Sequence, residues 1–544
     1  MTTTEAAGAP DTTVARFRLI LLWPVRVMKP GGEGGGDGAL AACLAEGEGP
    51  WRHVDDEFTG DPADFQERHY SEFVTFLPTA QRFLYGHGRG GRIPSAYGES
   101  PMATLRRDDV AAARVTMRHG EAPVLLSVAH VDLHFFYDID VALLAVEVFA
   151  DDLPLATAQD LMFRFGRAYP AFWTPSGRPG HCPAEVEWLS PAGAVLAASD
   201  YGDKRAYLDF ACLHRAPGLA AHWRFLLEPM ALDLAGARGE IRYRQLEYYR
   251  MPLMAFLAFR DPAALTEDDR RRLAWASAPA TAGRADHGYD ADATPHAFGP
   301  RQEQEIHGDL AGAWHAIGGN AVVLAGDAGD AAFMDAERGF LARFRHQYFL
   351  VFLIAHFHRA SLLMFADELA DAVSRLRVGD PAALMTFRQK SRASLERFLR
   401  FTHRYWIDEV TNHAETRAVF DVSRRQLQVD RLYQDVRQEL HDMSQYLEGE
   451  AQRRQNTSMV RLTVVTTFGL TGALSTGFLG MNLFALDAAS PALKLGLFAL
   501  VFLPALALTL LTVATSARLS AFLDVLSDES LRLIEKARAC FGRR

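Results

Sequence analysis

The stretch that decides the fold is "LTVVTTFGLTGALSTGFLGMN", residues 462–482, because it contains no charged side chain. The charge-free run continues to Leu486, and a second one covers Leu495–Ala517. Each run reaches the roughly 20 apolar residues that cross a hydrocarbon core about 30 Å thick. Asp487 and Lys494 are the charges between them. The pattern predicts a two-span helical hairpin, that is, two membrane-spanning helices joined by a short loop.

Basic residues indicate on which side of the bilayer the rest of the chain lies. Arg453, Arg454 and Arg461 precede the first span, and Arg518 follows the second. Positively charged flanks stay in the cytoplasm. We therefore expect a multi-pass protein of the cell (inner) membrane with both termini cytoplasmic. The N-terminal "ARFRLILLWPVRVM" (15–28) has only a short apolar run without a small-residue cleavage site, so it predicts a first β-strand rather than an export signal.

A long helix is predicted ahead of the first span. No proline occurs between positions 382 and 490. The stretch predicts a stalk helix of about 50 residues or more, against an average of about 11, that continues into the membrane. Such a helix is marginal alone and needs partner helices, most simply copies of itself. Its apolar residues recur in steps of three and four, as on one helical face, at Val429, Leu432, Val436, Leu440, Met443 and Leu447.

A competing apolar stretch is "QYFLVFLIAHFHRASLLMF", residues 347–365. His356, His358 and Arg359 interrupt it near the middle, which is costly inside a bilayer. We expect a buried face of a long soluble helix, from about residue 334 to the breaker "VGDP" (378–381), rather than a third span.

The upstream part reads as mixed α/β, so the fold class is an α+β membrane protein. "PVLLSVAHVDLHFFYDIDVALLAVEVFA" (123–150) carries alternating and β-branched stretches typical of adjacent strands. The expected order is a disordered N-terminus (1–13), a cytoplasmic α/β domain (14–300), a long-helix stalk region (301–456), the first span (457–482), a short extracytoplasmic loop (483–494), the second span (495–517) and a cytoplasmic amphipathic tail (518–544).

Composition narrows the function classes. The 544-residue chain is 49 % hydrophobic and has a formal net charge of −10, which argues against nucleic acid as a partner. Its cysteines are Cys43, Cys182, Cys212 and Cys540, with no CxxC pair. This set predicts neither a disulfide framework nor a zinc finger, and it suits a reducing compartment.

Two groups of residues in the N-terminal region are candidates for chemistry, and a third stretch is considered after them. His130, Asp132 and His134 share one strand face and could ligate zinc; the alternative is a solvent-facing strand edge. Within "DDEFTGDPADFQE" (55–67), the residues Asp55, Asp56 and Glu57 are weak candidates for a regulatory metal site, with a solvated loop as the alternative.

"GHGRGGR" (86–92) lacks the Lys-Ser/Thr pair of a phosphate loop and is expected to be an ordinary loop. The scattered His and Ser residues form no nucleophile motif. The sequence gives no reason to expect an enzyme.

"NTSMVRLTVVTTFGLTGALSTGFLGMN" (456–482), followed by a short loop and a second span, resembles the pore segment of the CorA family of divalent-cation channels. The agreement includes Asn456, Met459, the Leu462-Thr463 pair and Gly477, and it ends on the signature Gly480-Met481-Asn482. It is firm over roughly 420–517 and only architectural back to about 330. Small residues at GxxxG-like spacing also suit ordinary helix packing, but that would not explain amides at both ends of the span.

The resemblance implies a homopentamer whose first spans line a central pore, with the second spans facing lipid. It places Asn482 in the outer ring that holds the entering ion, and Gly480 and Met481 in the turn that presents it. Met459 and Leu462 would form a hydrophobic inner constriction. The remaining positions implied to face the pore are Asn456 at its cytoplasmic mouth, and Thr466, Leu470 and Gly477 between the two ends.

The ion is less well determined than the scaffold. Mg²⁺ sheds water reluctantly, so neutral amide oxygens can receive the hydrated ion. Mg²⁺ is therefore expected as the transported ion and a possible regulator. The loop "LFALDAASPALK" keeps only Asp487 where the family is more acidic, and Leu479 stands where tyrosine is frequent. Zn²⁺, Co²⁺ and Ni²⁺ stay open.

Three functions follow from these observations. The first is a pentameric channel that passes hydrated divalent cations into the cytoplasm, driven by membrane potential. The second is a Zn²⁺ transporter on the same scaffold, with proton coupling as an option. The third is a non-conducting sensor or scaffold in the membrane, whose large N-terminal domain binds a ligand.

Overall fold

The computed structural model describes residues 12–28, 44–45, 49–54, 67–86, 101–234, 241–247, 249–279, 305–310, 313–318, 320–376 and 381–480, with a few positions between 490 and 511. The chain divides into two compact units, Met1–Gln438 and Glu439–Arg544, called here the first and second unit. The described part of the first unit is mixed α/β, as predicted, and the second unit is helical where it is described.

One large sheet organises the first unit. Its strands are β1 (Thr13–Met28), β2 (Trp51–His53), β3 (Met102–Arg107), β4 (Ala112–Thr116), β5 (Val124–Phe136), β6 (Ile139–Pro154), β7 (Glu185–Leu189), β8 (Val195–Ala198), β9 (Ala231–Leu232), β10 (Arg242–Gln245), β11 (Leu253–Phe259), β12 (Glu305–Leu310), β13 (Ala313–Ile317) and β14 (Ala321–Asp327). The main path of the sheet runs β12-β13-β14-β11-β1-β6-β5-β4-β7-β8, with β2, β3, β9 and β10 attached to it. The pairs are antiparallel except for β11 with β14 and β9 with β10.

The centre of the sheet follows directly from apolar sequence. Strand β1 lies between β6 and β11, and buried residues run through it almost without interruption. A strand covered on both faces loses the apolar–polar alternation of a half-exposed one. The segment 123–150 forms the predicted neighbours β5 and β6, joined by a two-residue turn in which Asp138 has φ of 66°. Aspartate tolerates this left-handed conformation better than most residues.

Helices cover the sheet and continue the chain. They are α1 (Glu67–Thr75), α2 (Pro78–Tyr85), α3 (Leu155–Arg164), α4 (Lys204–His214), α5 (Ala221–Leu226), α6 (Glu267–Ala274), α7 (Ala331–Met334), α8 (Phe340–Arg343), α9 (Phe349–Ser374), α10 (Pro381–Arg404), α11 (Ala414–Gln426) and α12 (Val429–Gly480). A five-residue π-helical segment, Phe344–Tyr348, joins α8 to α9, and a short 3₁₀ turn covers Pro262–Ala264.

The competing apolar stretch is a core helix of the first unit. The continuous helical segment Phe340–Ser374 has the length and apolar composition of a membrane span, and 72 % of its apolar window is buried inside the protein. His356 and His358 are buried, and His358 Nε2 lies 2.7 Å from the carbonyl oxygen of Tyr405. The expectation of a buried helix is confirmed, with its start near residue 340 rather than 334.

Residues 305–327 correct the expected domain boundary. They form the strands β12, β13 and β14, which extend the sheet instead of starting a helical stalk. The parallel pairing of "AVVLAGD" (321–327) with β11 explains why this stretch is apolar on both faces. The division at residue 300 therefore does not coincide with the boundary between the two units at Gln438.

The long helix α12 is continuous over 52 residues, Val429–Gly480. At a rise of about 1.5 Å per residue it is roughly 78 Å long. The predicted long helix of about 50 residues is thus present and begins at Val429, and the proline-free residues ahead of it form the separate helices α10 and α11. Gly480 is the last residue of this helix that the structure describes, and Met481 and Asn482 of the signature lie outside the described residues.

Candidate functional site

A cavity in the first unit is lined by several buried polar side chains, among them Glu72, Asp132, His134 and Glu147. Its volume is 430 Å³, which falls within the range of small-molecule sites, about 300–1,000 Å³. Strands β3, β5 and β6 form one wall, and α1, α2 and the segment leading into α9 form the other. His130, Asp132 and His134 all line it.

Strand β5 holds those three residues inside the sheet. It pairs with β6 on one side and with β3 and β4 on the other, so it is not the solvent-facing strand edge considered above. Asp132 and His134 are buried. The register shift between Val128 and His130 is a β-bulge, a feature that re-aims side chains at functional positions.

Every carboxylate on the cavity wall already has a donor. Asp132 accepts two hydrogen bonds from Arg106, with Nε–Oδ1 at 2.7 Å and Nη2–Oδ2 at 2.8 Å. Glu147 accepts from Arg18 Nη1 at 2.6 Å and from Arg345 Nε at 2.9 Å. These ion pairs neutralise both carboxylates within the wall.

Glu72 completes the set of wall carboxylates. It accepts a hydrogen bond from the Tyr85 hydroxyl, and its Oε2 lies 3.1 Å from His346 Nδ1. His346 is the residue next to Arg345, so one turn of the segment leading into α9 engages both Glu72 and Glu147.

Burial and charge set the protonation states. Burial alone would raise the pKa of Glu147, but Arg345 and Arg18 outweigh it, so the pKa lies below its usual value and the group is ionised. Burial lowers the pKa of His134 to about 4. Burial, followed by the charge of Arg106, also lowers the pKa of His130. Both imidazoles are therefore neutral near pH 7.

Hydrogen bonds assign one imidazole tautomer. Arg345 Nη2 lies 3.3 Å from His130 Nε2, and since a guanidinium only donates, Nε2 accepts and the proton lies on Nδ1. His134 Nδ1 lies 3.0 Å from the Thr104 hydroxyl, while its buried Nε2 has no hydrogen-bond partner. Buried polar atoms without a partner are rare and call for an explanation.

The cavity is not arranged for a metal ion. In the part of the chain that the structure describes, no group of three or more His, Cys, Asp or Glu residues could hold one. Asp132 is occupied by Arg106, and one nitrogen of His134 by Thr104. The zinc hypothesis for His130, Asp132 and His134 therefore loses its ligands to neighbouring side chains.

The second group of candidates lies on α12 and is called the pore stripe. It consists of Asn456, Met459, Leu462, Thr466, Leu470 and Gly477. At about 100° per residue along a helix, these six positions fall within an arc of roughly 120°. The exposed fractions of Met459, Leu462 and Leu470 are 57 %, 67 % and 60 %.

Three threonine hydroxyls on the described part of α12 are satisfied within the helix. Thr466 Oγ1 donates to the Leu462 carbonyl at 2.7 Å, and Thr463 Oγ1 donates to the Met459 carbonyl at 2.9 Å. Thr476 donates in the same way to Gly472 at 3.0 Å. Threonines that bond back to the preceding turn can enter an apolar environment without an unpaired hydroxyl.

Several candidates lie outside the described residues. They are Met481 and Asn482 of the signature, the acidic Asp55, Asp56 and Glu57, and most of the loop 86–92. Glu67, at the end of the acidic stretch, forms an exposed ion pair with Arg338 at 2.9 Å.

Sequence reasoning missed the cavity because its wall combines distant segments. Glu147 and Arg345 are 198 positions apart, and neither belongs to a recognisable motif. The available signal was a lone carboxylate in the apolar run "VALLAVEVFA" (141–150) and the "RH" pair (345–346) that precedes the apolar part of α9.

Comparisons with protein-family models, with curated proteins and with solved structures found no match.

Proposed function

We propose that this chain forms a CorA-like homopentameric channel that passes hydrated divalent cations into the cytoplasm, with Mg²⁺ as the first candidate ion. One observation carries the proposal: α12 runs unbroken into a charge-free segment and is helical as far as Gly480, and in the sequence Met481 and Asn482 follow directly. A pore helix needs this order, with a soluble helical part, an apolar part and a polar ring at its far end.

The exposed apolar part of α12 supports assembly around an axis. Met459, Leu462 and Leu470 expose more than half of their surface in the single chain. Five copies of the helix would cover this pore stripe with one another, and the second span, 495–517, would face lipid. The threonine hydroxyls that bond back to the helix backbone fit the same environment.

The proposed mechanism uses weak binding at the mouth and a dry constriction below it. Five Asn482 amides attract a hydrated Mg²⁺ through its water shell without the deep trap of a carboxylate ring. Rings of Met459 and Leu462 close the pore by dewetting. The membrane potential supplies about 4.6 kcal/mol for two charges at 100 mV, from about 2.3 kcal/mol per charge. Cytoplasmic Mg²⁺ would act as regulator.

The test is metal uptake by the full chain reconstituted in proteoliposomes. We expect Asn482→Ala to abolish Mg²⁺ uptake while pentamers still form, as judged by light scattering after size exclusion. The matched control is Asn412→Ala, the same change at an exposed asparagine of the first unit, which should leave uptake unchanged. Undiminished flux through Asn482→Ala would contradict the proposal.

A Zn²⁺ transporter on the same scaffold is the runner-up, favoured by the weakly acidic loop 483–494. Competition between Mg²⁺ and Zn²⁺ in the same uptake assay separates the two, and a dependence of Zn²⁺ uptake on a proton gradient would indicate coupling.

The other candidate is a non-conducting sensor or scaffold, favoured by the cavity in the first unit. A chain that assembles but passes no cation under any imposed gradient would support it.

A further inference from the structure

We propose that the cavity of the first unit is a binding site for a small organic monocarboxylate with an apolar body. The proposal concerns the wall formed by β3, β5, β6 and the segment leading into α9. It does not depend on ion transport, because binding can be measured without a cation gradient.

The cavity wall contains hydrogen-bond donors that have no acceptor among the described residues. Arg345 donates to Glu147 through Nε and Nη2 and to His130 through Nη2, which leaves Nη1 without an acceptor among the described residues. The proton of His130 lies on Nδ1, which is likewise without an acceptor in that part of the chain. Both residues line the cavity.

The buried Nε2 of His134 is the second, independent observation. It is buried with no partner, although the other nitrogen of the same ring is held by Thr104. A buried polar atom left unpaired destabilises the fold. Because Nε2 has almost no accessible surface, a small shift of the wall would be needed for a ligand oxygen to pair with it, with the Thr104 hydroxyl donating to Nδ1 and the ring proton on Nε2.

The wall carboxylates do not compete for the ligand. Asp132 is held by Arg106, Glu147 by Arg18 and Arg345, and Glu72 by Tyr85 and His346. What the wall still offers is donors, so an acceptor group is the complementary ligand.

The charge balance limits the ligand to at most one negative charge. The lining carries the carboxylates of Glu72, Asp132 and Glu147 and the guanidiniums of Arg106 and Arg345, while Arg18 pairs with Glu147 without lining the cavity. A wall without surplus positive charge disfavours a phosphate dianion, so a single charge would have to be held by directed hydrogen bonds at the free edge of Arg345. A guanidinium with one free edge also suits a carboxylate oxygen.

Part of the remaining wall is apolar and would contact the other end of the ligand. Ile20, Leu84, Ala145, Phe349 and Leu350 line the same cavity. An aliphatic or aromatic body would contact them while the carboxylate meets Arg345 and the histidines. Small-molecule sites commonly combine such a surface with a few polar anchors.

The experiment is isothermal titration of the full chain in detergent with benzoate, hexanoate, benzamide and phenyl phosphate. We expect saturable binding of one carboxylate per chain. Benzamide has the shape of benzoate without its charge, so it loses a charge-assisted hydrogen bond and should bind at least about tenfold more weakly. Phenyl phosphate should also bind at least about tenfold more weakly, because the wall has no surplus positive charge for a second negative charge, and tighter binding of phenyl phosphate than of benzoate would overturn the proposal. Equal affinity for benzoate and benzamide would overturn the proposal, as would no binding of either carboxylate at millimolar concentration.

Variants locate the binding to the cavity. Arg345→Gln should weaken benzoate binding by about tenfold or more. The matched control is Arg343→Gln, which also removes an arginine paired with a glutamate, Glu415, but one that does not line the cavity. If Arg345→Gln fails to fold by circular dichroism, His130→Gln replaces it with the same expectation. Equal weakening by Arg343→Gln, or unchanged binding in the cavity variants, would overturn the proposal.

Discussion

The cavity wall of the first unit and the pore stripe of α12 satisfy their side chains in opposite ways. Each carboxylate of the wall finds its donor within the same chain, as Glu147 does between Arg18 and Arg345. The apolar residues of the pore stripe stay exposed, with Leu462 at 67 %. The side chains of the cavity wall are thus satisfied within one copy, whereas the stripe is uncovered in one copy and, under the proposed function, is covered by other copies of the helix.

The largest expected effect is an all-or-none difference in cross-linking. In a pentamer built around α12, Leu462→Cys places five thiols around one axis, so a short bifunctional maleimide should convert most of the protein to linked dimers. Leu125→Cys is the matched control, because Leu125 is 59 % exposed but lies on β5 of the first unit.

The control should give no linked product beyond that of the unsubstituted protein, whose own cysteines include the exposed Cys212. Equal yields from Leu462→Cys and Leu125→Cys would remove the contrast between the two regions. The readout is a denaturing gel of the detergent-solubilised full chain.

The next effect in size concerns the buried ion pairs of the wall. Glu147→Gln leaves Arg18 and Arg345 facing each other without their carboxylate, and breaking a buried pair in this way costs about 3–5 kcal/mol. The melting temperature of the full chain should fall clearly. Asp152→Asn breaks the exposed pair with Arg260 and should cost less than about 1 kcal/mol. Similar losses of stability in both variants would show that the buried ion pairs of Glu147 contribute no more to stability than an exposed ion pair does.

A smaller effect follows from the buried histidines. Burial, with a minor contribution from Arg359, lowers the pKa of His356 to about 3, while its unfolded value is about 6.5. The unfolded state therefore binds the proton first, and stability present above about pH 6.5 is lost as the pH falls toward 3. Each such group contributes a slope of up to about 1.4 kcal/mol per pH unit.

His356→Leu tests this contribution. The variant should lose less stability between pH 6.5 and 5 than the unsubstituted protein, by about 1 kcal/mol per pH unit. At pH 7 it should be as stable or more so, because the buried Nδ1 of His356 has no partner to lose. Melting curves over this range measure it, and identical acid slopes would contradict the assignment of a neutral buried imidazole.

The elements that could be predicted from sequence are those with a strong apolar pattern. The run 15–28 gave β1, the segment 123–150 gave β5 and β6, and the uncharged stretch after Arg461 gave a continuous helix to Gly480. In each case local composition determines the element, because burial on one or both faces dictates which residues occur.

The parts that escaped prediction depend on pairing between distant segments. The residues 305–327 join the sheet through β11 and β13–β14 pairing, which no local pattern distinguishes from a buried helix. The cavity depends on Arg345 reaching Glu147 across 198 positions. His130, Asp132 and His134, which the sequence indicated as a candidate zinc site, do lie together in the cavity wall. Arginine and threonine neighbours, which residue spacing cannot reveal, hydrogen-bond to these side chains, so they are not arranged as metal ligands.

The most direct measurement is Mg²⁺ uptake by the reconstituted full chain at a series of imposed membrane potentials, with Asn482→Ala measured beside it. We predict uptake that rises as the interior becomes more negative, and its loss in the variant while pentamers persist. No cation uptake at any potential, or equal uptake by the variant, would contradict the account.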